Sequence, residues 1–266
     1  MGKRLSVTDL MRYKSKGEKI SALTSYDFYF SKIIDSTPLD MILVGDSLGM
    51  VFQGKKTTIP VTVDQMIYHT KIVVDSTENP LIVADMPFGS FQISVEKAVE
   101  NAFKIVKESG CNAVKLEGGE KLVPVIEKLV YSGIPVYGHL GLTPQSINKF
   151  GSYKLRAKQH EEAETLKKDA LMLEKAGVSG IILEKIPAEL GREVTGSLNI
   201  PTIGIGAGPH CDGQILVITD LLGMDSELSL RFVRKYADLS TVIRNSVDEY
   251  IKDVRNGNFP NDKESY

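Results

Sequence analysis

Four mostly apolar runs in this 266-residue chain each surface on an acid: residues 41–44 lead through Gly45 to Asp46, 81–84 to Asp85, 113–116 to Glu117, and 180–183 to Glu184. One acid at the carboxyl end of a buried parallel strand is an ordinary loop cap; the same placement in four strands points to a common pocket. Asp46, Asp85 and Glu117 gathered into one small volume repel one another, and either raised pKa values or a cation must relieve that repulsion. All three are hard oxygen donors, which suit magnesium or manganese better than zinc, especially with only four histidines in the chain. The plainer alternative is that each acid caps the helix following its own strand.

Side chains two apart on a strand face the same way. Lys115 therefore points with Glu117, and Tyr137 with His139. Lys115 is open to three readings, a Schiff-base nucleophile, an anion clamp or merely the partner of Glu117, and a metal beside it favours the clamp. His139 suits a ligand and a buried, hydrogen-bonded histidine equally well. Glu184 lies on the sixth strand, nearly across a barrel from the second, so it need not share the metal and is free to act as a base. Its bland alternative is a salt bridge with Lys185 or Arg192.

Such side chains need strands that open at one end. Strand-like runs fall at 20–24, 41–45, 81–84, 113–116, from 135, and at 180–183, 201–205 and 214–218. Helical periodicity fills most of the gaps, including 94–106, 121–131, 161–175 and 188–198, the last with Pro187 in its first turn. Eight strands at spacings of about 20 to 40 residues are the arithmetic of a (β/α)8 TIM barrel, whose sites lie at the strands' carboxyl ends. A doubly wound open sheet is the rival and would place ligands similarly. Residues 6–16 read as a short helix plugging one end, and 228–254 as an amphipathic helical extension before a polar tail, all within a single domain, 1–266. The connection 142–160 is long enough to be either a lid or a segment ordered by its own packing. Gly204-Ile205-Gly206-Ala207-Gly208 lacks the dinucleotide spacing and reads as a tight strand-end turn.

The composition narrows the partners. With 42% hydrophobic residues, and 32 basic against 34 acidic side chains, the chain has core enough to fold and nothing that advertises a nucleic-acid or membrane surface. A small molecule is the expected partner. Cys111 and Cys211, far apart and outside any metal-ligand spacing, read as packing residues of a reducing compartment. No apolar run approaches the roughly 20 residues of a membrane helix, and residues 1–10 are too polar for a signal peptide, so the cytoplasm is expected. Met1-Gly2-Lys3-Arg4-Leu5-Ser6 fits the loose myristoylation pattern, which is short enough to arise by chance.

Beyond single residues, several longer runs belong together. They are Leu23-Thr24-Ser25-Tyr26-Asp27, Val44-Gly45-Asp46-Ser47-Leu48-Gly49-Met50-Val51, Ile59-Pro60-Val61-Thr62, Tyr68-His69-Thr70, Asp85-Met86-Pro87-Phe88-Gly89-Ser90 and Val114-Lys115-Leu116-Glu117-Gly118-Gly119. Gly138-His139-Leu140-Gly141-Leu142-Thr143-Pro144-Gln145 and the 204–208 glycine run with Asp212-Gly213-Gln214 complete the set. Together they resemble the ketopantoate hydroxymethyltransferase family over nearly the whole chain. The resemblance implies a (β/α)8 barrel that transfers a hydroxymethyl group from 5,10-methylenetetrahydrofolate to 3-methyl-2-oxobutanoate, giving ketopantoate for pantothenate synthesis. It assigns one magnesium ion per subunit to Asp46, Asp85 and Glu117. Ketoacid contacts fall to Asp46, Ser47, Asp85 and Lys115, and the proton acceptor is Glu184. It also implies a cytoplasmic homodecamer of two five-membered rings.

The chain departs from the family at residues 151–157, where relatives carry more glycine in a mobile loop, and at Lys185 beside the base, which strand alternation points away from the pocket. The chemistry suits the residues, because a ketoacid chelated by a metal has an adjacent C–H acidic enough for a carboxylate base, while Lys115 neutralises the substrate carboxylate. The alternative is a related metal-dependent barrel lyase or mutase acting on another 2-oxoacid. A barrel that only binds a ligand is disfavoured, since no acid of the set is lost.

Overall fold

A computed structural model describes residues 4–227 and 229–266. Met1 to Lys3, which hold half of the myristoylation-like pattern, and Leu228, where the sequence pattern starts the last helix, lie outside the described residues. Eight strands, β1 (Ile20–Thr24), β2 (Met41–Val44), β3 (Leu81–Asp85), β4 (Ala113–Glu117), β5 (Val136–Gly141), β6 (Gly180–Glu184), β7 (Thr202–Ile205) and β8 (Gly213–Leu216), pair in chain order. Every pair is parallel, and β8 returns to β1. The closed barrel excludes the open-sheet rival.

Helices α1 (Val7–Lys16), α2 (Phe28–Asp35), α3 (Leu48–Val51), α4 (Val63–Asp75), α5 (Val95–Ser109) and α6 (Val123–Tyr131) alternate with the first five strands. Then come α7 (Ile147–Phe150), α8 (His160–Lys175), α9 (Ala188–Ser197), α10 (Ile218–Leu221) and α11 (Leu239–Asn256). The chain forms two compact units, 1–216 with the whole barrel and 217–266 with α10 and α11.

The strands read as unbroken apolar runs because all residues of β2, β3 and β4 are buried, one face against the helices and the other inside the barrel. Inside, Ile20, Ala22, Met41, Leu43, Leu81, Val83, Ala113, Tyr137, Ile182, Ile203 and Ile215 pack into one core, and Leu10 of α1 completes it as a plug. At the start of α1 the Asp9 carboxylate accepts the Ser6 N–H at 2.9 Å, and Gly17 ends the helix at φ +71°. The inward face then changes character along each strand. Leu81 and Val83 give way to Asp85, Ala113 to Lys115 and Glu117, Tyr137 to His139, and Ile182 to Glu184. The same alternation that fills the core thus delivers the ionisable groups to its top.

Three boundaries differ from the sequence reading. The last helix begins at Leu239, capped by the Asp238 carboxylate accepting the Thr241 N–H, and residues 229–238 are irregular. The helix after β4 opens with a 3-10 turn, Glu120–Leu122, because Pro124 suits the first turn of α6 and not an interior position. Pro187 takes the N-cap of α9, one place before its first turn. The connection after β5 carries a 3-10 turn, Pro144–Ser146, and α7, so it is ordered by structure of its own.

Both cysteines are buried and free, and burial pushes both thiols up, Cys111 to about 11, as packing residues require. Among the described residues no helix is long and apolar enough to cross a membrane. Because Leu10 is fully buried in the barrel core, Leu10→Ala should cost roughly 2–5 kcal/mol in urea unfolding, and a loss below about 1 kcal/mol would show that α1 is not part of that core.

Candidate active site

Strand register places the site. Asp85 stands opposite Lys115 across β3 and β4, Glu117 opposite His139 across β4 and β5, and Glu184 opposite Gly141 across β5 and β6. The side chains meet accordingly. Lys115 Nζ lies 3.1 Å from Asp85 Oδ1, 3.4 Å from Glu117 Oε1 and 3.0 Å from His139 Nδ1. His139 bridges onward, with Nδ1 3.3 Å from Glu117 Oε1 and Nε2 3.3 Å from Glu184 Oε2, the latter without the alignment of a good hydrogen bond. Asp46 joins from the turn after β2: its N–H donates to Asp85 Oδ2 at 3.0 Å. Ser47 Oγ shares a 2.8 Å hydrogen bond with the buried Tyr26 hydroxyl. All six residues predicted from the sequence, Asp46, Ser47, Asp85, Lys115, Glu117 and Glu184, therefore lie at one barrel mouth.

The bland readings of the acids do not fit the contacts. Asp85 accepts from Asp46 across strands, and Glu117 Oε2 accepts the Gln145 N–H at 3.0 Å from a later connection, so neither acts as cap to the helix that follows it. Arg192 is taken up by Glu189 on its own helix. The glycine run resolves to the plain alternative: Gly208, at φ +84°, packs so tightly that a Cβ there would lie 2.4 Å from that of Ala188. Gly141, at φ +93°, is needed beside the candidate base, since a Cβ would fall 2.2 Å from the Glu184 carbonyl oxygen.

Two residues without an assigned role in the sequence reading complete the site. Gln145 Nε2 donates to Asp46 Oδ2 at 2.8 Å and to the Met86 carbonyl at 2.9 Å, while its backbone N–H donates to Glu117 Oε2, so one buried residue ties two acids together. Its signal was the Thr143-Pro144-Gln145 turn just past a strand end, inside a connection too long for a simple link. Tyr26 fixes Ser47 in the same way from the end of β1. A separate cavity of about 590 Å³, lined by Gly119, Leu140, Phe150, Arg156 and Asp169 among others, lies on the outward side of β5 and shares no residue with the network.

Electrostatics explains the arrangement. Burial, then the charges of Asp85 and Glu117, raise Asp46 well above the usual carboxylate range, and burial with Glu117 raises Asp85 despite Lys115. Burial also opposes the charged form of Glu117, but Lys115 and His139 outweigh it and its pKa is lowered. Burial pulls Lys115 down, yet Asp85, Glu117 and Asp46 outweigh that and hold it firmly protonated. For His139, burial and Lys115 are overcome by Glu117 and Glu184, which raise its pKa.

The donor set fits a hard divalent cation. Asp85 Oδ1 is buried without a directed hydrogen bond, and burial with the neighbouring carboxylates disfavours the charged form of Asp46, a penalty that a bound cation would relieve. Among the described residues no three acid, imidazole or thiol groups are already drawn into a cage; Lys115 supplies the neutralising charge here.

A closed parallel barrel whose strand ends hold a buried cluster of acids, a lysine and a histidine defines a (β/α)8-barrel enzyme built for proton transfer beside bound anions. The family model for ketopantoate hydroxymethyltransferase matches residues 4–262. A 3-methyl-2-oxobutanoate hydroxymethyltransferase of Prosthecochloris aestuarii is 55% identical over 257 residues, 95% of this chain and 93% of the relative. One of Flavobacterium johnsoniae is 52% identical, covering 99% and 97%. The chain belongs to the ketopantoate hydroxymethyltransferase family. Among solved structures, a 2,3-dimethylmalate lyase of the PEP mutase/isocitrate lyase superfamily superposes with a TM-score of 0.60 at 15% identity, covering 98% of this chain and 91% of that one, which shows a shared fold.

Asp46 offers a test by stability. A carboxyl whose pKa is raised above its unfolded value of 3.8 stabilises the fold fully below that value and loses the contribution as pH rises through the folded pKa. Asp46→Asn should therefore raise the melting temperature of the metal-free protein at neutral pH and flatten its decline between acid and neutral pH, while abolishing the stabilisation that added magnesium gives the native chain. Equal magnesium-induced shifts in both proteins would rule Asp46 out as a ligand.

Proposed function

We propose that this chain, working in the cytoplasm, transfers a hydroxymethyl group from 5,10-methylenetetrahydrofolate to C3 of 3-methyl-2-oxobutanoate, giving 2-dehydropantoate. The observation that carries the reading is the continuous chain of contacts from Asp46 and Asp85 through Lys115, Glu117 and His139 to Glu184 at one barrel mouth, in a chain of this family.

Asp46, Asp85 and Glu117 would hold a magnesium ion, which when bound supplies Lewis-acid withdrawal of charge from the keto oxygen. Lys115, protonated and fixed by Asp85 and Glu117, presents an ammonium to the substrate carboxylate. Ser47, oriented by Tyr26, offers a hydroxyl to the same ketoacid. Glu184 takes the C3 proton. His139 stands between that carboxylate and Glu117, 3.3 Å from each. The carbon left with the electron pair bonds to the folate's one-carbon unit, and both C–N bonds of that unit break as water supplies the hydroxyl oxygen. The proton from C3 and the second proton of the water end on the two folate nitrogens, releasing tetrahydrofolate.

Proton removal and carbon transfer separate experimentally. In heavy water, 3-methyl-2-oxobutanoate should take deuterium at C3 with metal present and folate absent, and Glu184→Gln should slow this by at least about 100-fold while changing ketoacid affinity by less than about threefold. NMR of the C3 signal reads the rate. Native exchange in Glu184→Gln would assign the base elsewhere, and turnover of another 2-oxoacid without folate would favour the lyase or mutase alternative.

The working form proposed is a homo-oligomer, decameric by family resemblance. Ile243, Val247, Tyr250 and Val254 repeat at intervals of four, three and four residues along α11, all substantially exposed, an apolar helix face that another copy of the chain would cover in such an assembly. Val247→Glu with Tyr250→Glu should shrink the assembly in sedimentation at micromolar protein; a native chain that sediments only as a monomer would end this reading.

A further inference from the structure

The residue after the candidate base has a backbone that lysine rarely adopts. Lys185 stands at φ +45°, a left-handed conformation that crowds Cβ against the carbonyl oxygen, and such an outlier beside a reactive group asks what it secures. It secures the segment 151–157 between α7 and α8. Lys185 Nζ donates to the Tyr153 carbonyl at 2.9 Å, and the Arg156 N–H donates to the Lys185 carbonyl at 2.8 Å. Its own N–H remains on the barrel, donating to the Ile205 carbonyl at 2.9 Å. The left-handed turn lets one residue keep its strand pairing while gripping the segment at two points. An ordinary strand conformation would send its side chain outward by alternation.

Between those two points the segment reaches over the site. The Tyr153 hydroxyl lies 4.0 Å from Sδ of Met50 on α3, the helix that follows Asp46 and Ser47, so the segment spans from the end of β6 to the end of β2. Burial, then the charges of Asp46, Glu184 and Glu117, raise the phenol pKa, which places the ring within the field of the same carboxylates. Ala157 closes the segment, buried and also left-handed at φ +53°.

We propose that Tyr153 roofs the ketoacid pocket and that Lys185 is a positioning residue that latches the roof shut, screening the proton captured by Glu184 from solvent. The inference rests on the hydroxymethyl-transfer reading. Once Glu184 has taken the C3 proton, that proton either returns to C3 or exchanges with water, while the carbanion is either reprotonated or attacks the folate one-carbon unit. A closed roof favours attack, and an open one lets heavy water exchange the proton first.

The test compares the full-length protein with Lys185→Asn, which tolerates the left-handed backbone but lacks the long donor, and Lys185→Arg, which retains one. Amide exchange of residues 151–157, read by mass spectrometry, should quicken about tenfold in Lys185→Asn, as loss of one charge-assisted hydrogen bond to a local closure allows, and be restored in Lys185→Arg. With magnesium, folate and ketoacid in heavy water, the ratio of C3 deuteration to hydroxymethyl transfer should rise about tenfold in Lys185→Asn and in Tyr153→Ala. A variant that was merely less stable would lower both rates and leave the ratio alone. Unchanged amide exchange in Lys185→Asn overturns the latch, and a loosened segment with an unchanged ratio overturns the roof. If the native chain transfers no hydroxymethyl group, the functional reading fails and takes the roof with it, while amide exchange still decides the latch.

Discussion

The structure turns on the neutralisation of buried carboxylates by the Lys115 ammonium. Asp85 and Glu117 are almost fully enclosed, and each has a Lys115 contact within 3.4 Å. Removing one partner from such a buried pair typically costs about 3–5 kcal/mol, because the charge left behind has lost its water as well as its partner. That cost is comparable to the net stability of many domains. The barrel can therefore carry this much acid at its mouth only because β4 places a lysine and a glutamate on one face, and the register with β3 and β5 sets Asp85 and His139 on either side.

The neutralisation does not extend to Asp46, and that incompleteness is the useful part. Asp46 is held by the Gln145 amide and by neighbours of its own sign, so its ionised form is strained in this structure. A fold optimised for stability alone would place an amide or an apolar group there. Keeping an acid sets stability against affinity for a cation or a cationic atom of a substrate, the usual exchange at sites built for chemistry.

Much of this was legible in the residues. Runs buried on both faces announce parallel strands, and the acids at their ends announce the mouth; Lys115 with Glu117 follows from period two alone. What was hidden depends on lateral neighbours. That His139 would sit between Glu117 and Glu184 requires the β4–β5 and β5–β6 registers, which no periodicity supplies. Gln145 reaches Asp46 across 99 positions of sequence from a 3-10 turn, a distance over which side-chain type predicts nothing. Lys185 was expected to point away from the pocket on the assumption of an ordinary strand, and its left-handed backbone is a tertiary choice made by its partners in the 151–157 segment. The irregular stretch before α11 was read as helix because its apolar residues happen to keep the period without any cap before Asp238.

The plug at the amino ends of the strands has a consequence for traffic. Leu10 and the layered core beneath the acids leave no passage along the barrel axis, so the tube is a cul-de-sac with one doorway. Whatever binds deepest must arrive first and depart last, and a larger second reactant seated above it acts as the stopper of a flask. Under the proposed reaction, sequence of arrival would then be written into the architecture before any affinity is considered: the small acid would go to the floor of the blind end and the bulky carbon donor would close over it.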